Sequence, residues 1–133
     1  MKKENIFLLI AALGVLPVAL TYGLFHKLFF GIDATSIEMT NIFRATMGLY
    51  LAMGSFWLVA AFNSKYTLSA LHSLIVFMGG LAVARTVSMI ADGAPNVILI
   101  GYTVIEAVVA FSAYIHLKGS TLSNAQQPVN IGA

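Results

Sequence analysis

Four long apolar stretches most constrain what this chain can fold into. They occupy residues 5–25, 42–62, 67–90 and 97–117 and are separated by short polar links. A helix needs roughly 20 mostly apolar residues to cross about 30 Å of bilayer hydrocarbon. We therefore predict an all-α integral membrane protein, in which residues 1–118 form a four-helix bundle with one span per stretch.

Composition supports a membrane rather than an aqueous environment. Of the 133 residues, 59% are hydrophobic and 9% are charged, whereas an average soluble domain carries about 25% charged residues. The chain contains no cysteine, which excludes disulfides, thiolate metal sites and thiol catalysis. No constellation of nucleophile, base and metal ligand is evident. We therefore expect no enzyme activity, no metal and no cofactor.

The lysines predict the orientation of the bundle. Lys2, Lys3, Lys65 and Lys118 would share one side of a four-span protein, and the positive-inside rule then puts both termini in the cytoplasm. The first span also resembles a secretory signal peptide, because two lysines precede its apolar core, but it offers no clean cleavage site. After the last span, residues 119–133 are polar and predict a disordered tail.

Ionisable residues within the spans are the most informative side chains, because burying a charge in a membrane is costly. At a helical rise of about 1.5 Å per residue, Arg44, Arg85 and Glu106 all fall in the outer half of the bilayer. Asp92 shares a helix face with Arg85, and Tyr102 lies one turn before Glu106. We predict that these five residues form a ligand-binding cluster that opens to the external face. Two arginines from different helices would suit an anionic group.

The alternative is that the charges serve packing alone. Arg85 and Glu106 would then simply pair inside the bundle and fix the register of two helices, and the chain would contain no ligand site. Structural ion pairs and functional charges look alike in a sequence, so both interpretations remain open at this point.

Two central blocks resemble a known family. They are IFRATMGLYLAMGSFWLVAAF (Ile42 to Phe62) and FMGGLAVARTVSMIADGAP (Phe77 to Pro95), and they resemble the uncharacterised bacterial membrane-protein family DUF4345, a domain of unknown function. The resemblance implies a compact four-helix protein of the bacterial inner membrane and implies no reaction. The residues that match its motif positions are Arg44, Arg85, Asp92, Gly93 and Pro95.

Three functions are compatible with these features. The first is a binding protein that holds a lipid, a quinone or another amphiphile at the polar cluster. The second is a structural or accessory subunit of a larger membrane complex. The third is an oligomeric proton-coupled carrier in which Glu106 titrates. The partners we expect are the lipid bilayer, an amphiphilic ligand, and a homo-oligomer or larger complex. The net charge of +2 gives no reason to expect nucleic acid.

Overall fold

Helices make up nearly the whole chain in the computed structural model, which describes residues 1–126 and 132. They are α1 (Lys3–Gly23), α2 (His26–Phe30), α3 (Ile37–Phe62), α4 (Thr67–Asp92) and α5 (Val97–Ala125), with a 3₁₀ turn at Ser64–Tyr66. Helices α1, α3, α4 and α5 are each long and apolar enough to cross a membrane. The prediction of an all-α four-helix bundle is confirmed.

Side-chain caps set where two of the long helices begin. The Ser36 hydroxyl accepts a hydrogen bond from the Met39 amide at 3.1 Å, and the Asn96 side chain accepts one from the Ile98 amide at 2.8 Å. Each cap satisfies a backbone donor that the first helical turn leaves without a partner. Helix α4 ends at Asp92, and the next residue, Gly93, has a φ of 100°, a backbone conformation that glycine adopts readily and other residues adopt only at a cost.

Two helices extend further than the sequence predicts. Helix α3 begins at Ile37, before the predicted span of residues 42–62, because Ser36 caps its first turn. Helix α5 continues to Ala125, so residues 119–125 are helical and the prediction of a disordered tail is wrong for them. No proline interrupts this segment, and the helix therefore continues beyond the last apolar residues. The remaining predicted tail, residues 127–131 and 133, lies outside the described residues.

The four long helices associate as two closely packed pairs. Helix α1 packs along α3, and α4 packs along α5, whereas α1 meets α5 over only a short stretch. At Gly54 a β-carbon would lie 3.0 Å from Leu16 Cδ2, so the missing side chain lets α3 approach α1 closely. The largest fully buried side chains are Leu8, Tyr50, Trp57, Leu71 and Leu74.

The bundle has two chemically different ends. The terminal end carries the N-terminus and the turn at 63–66, and the loop end carries α2 and the link at 93–96. At the loop end, Lys27 and Asp33 form an ion pair of 2.9 Å in which both side chains are exposed. The hydrogen bond that Lys27 donates to the Asp33 carboxylate raises the pKa of Lys27, but an exposed pair of this kind contributes little stability.

Candidate functional site

An ion pair between α4 and α5 lies inside the bundle. Arg85 Nε is 2.9 Å from Glu106 Oε2, and Glu106 is only 4% exposed. Removing two charges from water is costly, and the cost is offset only when the charges are paired and hydrogen-bonded. The structure thus brings together two of the five residues in the predicted cluster.

Two tyrosines complete the hydrogen bonding of this pair. The Tyr50 hydroxyl donates to Glu106 Oε1 at 3.0 Å, and Arg85 Nη2 donates to the Tyr22 hydroxyl. The guanidinium also lies 5.8 Å from the centre of the Tyr22 ring, within range of a cation–π interaction. We call Tyr22, Tyr50, Arg85 and Glu106 the charged network; each of the four long helices contributes one member.

Neither tyrosine is among the residues predicted from the sequence, although the sequence carries a signal for one of them. Tyr50 lies in the middle of an apolar span, where its hydroxyl has no water to bond and must find a partner within the protein. A buried acid on another span is an obvious acceptor. Tyr22 lies near the loop end of α1, where tyrosine is also common as an interfacial residue, so its position alone indicates less.

A crevice of about 290 Å³ runs between α1 and α5 beside the charged network. Both Tyr50 and Glu106 line it, while the exposed side chains of Ile10 and Ile105 mark where it reaches the outer surface of the bundle. Its volume is close to the lower end of the range of about 300–1,000 Å³ for small-molecule sites. The other lining residues are Phe7, Ala11, Gly14, Val15, Val18, Met78, Tyr102 and Val109.

Tyr102 connects α1 and α5 at one end of the crevice. Its hydroxyl is 3.2 Å from Thr21 Oγ1, and the Thr21 hydroxyl donates to the Val18 carbonyl at 2.6 Å. Beyond this contact, a shallower groove of about 480 Å³ continues towards α2 and shares Val18 and Tyr102 with the crevice. The predicted site residue Tyr102 therefore does lie beside Glu106, at the junction of two apolar cavities.

Arg44 and Asp92 lie outside the charged network, and the predicted convergence of five residues is wrong for these two. Arg44 is exposed and lines a separate shallow pocket at the start of α3. It precedes Tyr50 by six residues, or about 240° around the helix, which points it to a different face. Asp92 is exposed two turns beyond Arg85 and accepts a hydrogen bond from Ser88 at 3.1 Å.

Arg85 also borders a cavity at the loop end of the bundle. A small cavity of about 150 Å³ lies beneath the link at 93–96 and is lined by Arg85, Ser88 and Pro95 among others. This cavity and the crevice have no lining residue in common. The two partners of the ion pair therefore border different spaces, Glu106 the crevice and Arg85 the loop-end cavity.

Fold and site together define a class of protein: a bundle of four helices of membrane-crossing length, with an internal charged network beside a lateral apolar crevice. The chain belongs to the family described as Domain of unknown function (DUF4345), whose model matches residues 4–117. This match confirms the resemblance of the two central blocks. Neither the comparison with curated proteins nor the comparison with solved structures gives a match.

Proposed function

We propose that this protein is a multi-pass membrane protein that binds a lipid, a quinone or another amphiphile in the crevice between α1 and α5. The observation that carries the proposal is the composition of the crevice, which has apolar walls and the polar groups of Tyr50 and Glu106 at one side. Small-molecule sites commonly combine such walls with a few placed polar groups. An apolar tail would lie along Ile10 and Ile105 and extend into the surrounding hydrocarbon.

We further propose that the protein resides in the bacterial inner membrane with both termini in the cytoplasm. Lys2, Lys3, Lys65 and Lys118 are all exposed and lie towards the terminal end of the bundle. The loop end carries Lys27, which is paired with an acid. Such a bias of basic residues favours the terminal end as the cytoplasmic one. The role we propose is binding, without catalysis.

Filling the crevice tests the proposal directly. A β-carbon on Gly14 would meet no atom within 4 Å, and Gly14 lines the crevice. A Gly14→Leu side chain would therefore occupy space that the ligand needs without disturbing the charged network. We expect wild-type protein to retain an amphiphile after purification and Gly14→Leu to lose it, as measured by solvent extraction and mass spectrometry.

A matched substitution controls for the general effect of adding a leucine. Gly80 on α4 is exposed, also has open space around its β-carbon position, and lies away from the crevice. Gly80→Leu should keep the wild-type ligand content. If the extracted lipids and other amphiphiles are the same in wild type, Gly14→Leu and Gly80→Leu, the proposed binding function is wrong.

A structural or accessory role is the second candidate, and one observation favours it. The charged network connects all four long helices through side chains. Such a network favours a role in fixing the relative positions of the helices inside a larger complex or a homo-oligomer. The proton-coupled carrier has less support. Within residues 1–126, Glu106 is the only buried acidic side chain, and a relay through the membrane would need further titratable groups.

A further inference from the structure

We propose, on the basis of the binding function above, that the ligand's head is a hydrogen-bond donor: the hydroxyl of a long-chain alcohol or of an alkylated phenol. The crevice offers hydrogen-bond acceptors and no free donor. The lack of a free donor restricts the chemistry of the ligand more than the apolar walls of the crevice do. A hydroxyl head also differs from the anionic head that the arginines in the sequence predict.

The hydroxyl hydrogens beside the crevice are already used. Tyr50 donates its hydrogen to Glu106 Oε1. Thr21 donates its hydrogen to the Val18 carbonyl, so in the contact between Thr21 and Tyr102 the donor must be Tyr102. A hydroxyl group carries one hydrogen and two lone pairs. Neither tyrosine that lines the crevice therefore has a hydrogen left for a ligand.

Acceptor capacity, in contrast, remains. An ionised carboxylate offers about four lone-pair sites. Glu106 accepts one hydrogen bond from Tyr50 and one from Arg85, which together use two of these sites. The oxygens of Tyr50 and Tyr102 also keep lone pairs. The remaining side chains around the crevice are apolar, and the helical backbone donors of these segments are engaged in their own helices.

The charges select against an anionic head. Arg85 lines the loop-end cavity and not the crevice, so a ligand in the crevice meets Glu106 first. An ionised phosphate or carboxylate, or an ester, ketone or quinone head, would bring only acceptors to a crevice whose few polar side chains also offer only acceptors, and it would lose its own hydrogen bonds on burial. A hydroxyl head would instead donate a charge-assisted hydrogen bond to the Glu106 carboxylate.

Matched probes test this inference on the wild-type protein. The first pair is decyl methyl ketone and the secondary alcohol obtained by its reduction, which share one carbon skeleton. The second pair is dodecylphenol and its methyl ether, which differ only by the methyl group on oxygen. Each probe is titrated into protein in lipid nanodiscs with methyl-labelled methionine. The Met78 methyl signal reports the crevice that this residue lines, and the Met39 signal, from a residue outside it, serves as the reference.

We expect the donor of at least one pair to bind about tenfold or more tightly than its acceptor-only partner, because one hydrogen bond to a charged group is worth that much in affinity. The pair with the larger ratio then distinguishes an alcohol from a phenol. Equal affinities within both pairs would overturn the donor inference while leaving the binding function intact.

Two other results would overturn the binding function as well. One is that none of the four probes shifts Met78. The other is that the Met78 shifts persist unchanged in Gly14→Leu, which would trace them to partition into the lipid rather than to the crevice.

Discussion

Two of the regions in which the bundle buries polar side chains are built differently. Near the terminal end, Asn5 Nδ2 donates to the carbonyls of Ala60 at 3.2 Å and Ala61 at 3.1 Å, and lies 3.4 Å from Thr67 Oγ1. We call this the Asn5 contact. The charged network lies towards the loop end, and its side chains form hydrogen bonds with one another rather than with backbone groups.

The difference separates a structural polar group from a candidate binding group. A helix leaves its last carbonyls without intrahelical partners, and Asn5 supplies donors to carbonyls of this kind at the end of α3. The amide nitrogen of Asn5 is therefore engaged by the fold, and Asn5 does not line the crevice. Glu106 is also hydrogen-bonded, but its carboxylate keeps unused acceptor capacity, and the residue lines the crevice.

Breaking the ion pair should have the largest effect on stability. Glu106→Leu strands the Arg85 guanidinium inside the bundle, and loss of one partner from a buried pair costs about 3–5 kcal/mol. Arg85→Leu should cost a similar amount. The double variant Arg85→Leu/Glu106→Leu removes both charges and should recover most of the loss, as measured by unfolding of the purified protein in detergent micelles.

The same series sharpens the comparison between the candidate functions. A double variant that is folded and stable but no longer shows the Met78 response to alcohol or phenol would support a binding role for Glu106. A double variant no more stable than the single variants would contradict the view that the pair is held by charge compensation.

Removing the Asn5 contact should have an intermediate effect. Asn5→Leu keeps a similar volume but leaves the Ala60 and Ala61 carbonyls without this donor, which costs about 1–3 kcal/mol when the acceptors are buried. Because neither Asn5 nor the residues it contacts line the crevice, probe binding at Met78 should not change. The measurements are unfolding in detergent micelles and the methyl titration used for the wild type.

Thr67→Val provides the matched control for this variant. It preserves the shape of a buried side chain and removes only the longest of the three recorded contacts of Asn5, so it should cost less than Asn5→Leu. Loss of probe binding in Asn5→Leu at wild-type stability would contradict the division into a structural and a binding region.

Much of the fold could be predicted from the sequence because a membrane imposes few solutions. Each apolar stretch long enough to cross the hydrocarbon must satisfy its backbone internally, and a helix does so within one segment. What the apolar pattern did not fix was the extent of the helices. Ser36 caps α3 and α5 runs on to Ala125, and both depend on local hydrogen bonding and not on hydropathy.

The candidate site was only partly predictable, because depth and direction are separate properties. Counting residues at a fixed rise gives the height of a side chain, and it correctly put Arg85 and Glu106 within reach of each other. Height says nothing about the face of the helix on which a residue lies. Arg44 has a suitable height but lies on the wrong face of its helix. Tyr50 has a suitable height and lies on the right face, but it was missed because a tyrosine carries no charge.

The smallest expected effect comes from Arg44, and it tests the corrected position of the site. Arg44 is exposed and outside the charged network, so Arg44→Ala should change stability by no more than about 0.5 kcal/mol and leave the affinity for the alcohol and phenol probes unchanged. Unfolding in detergent micelles and the Met78 titration measure both. The variant matters because the sequence predicts Arg44 to be part of the ligand-binding cluster. If its removal weakened probe binding severalfold, the ligand would have to reach the pocket at the start of α3, and the crevice beside Glu106 could not be its main site.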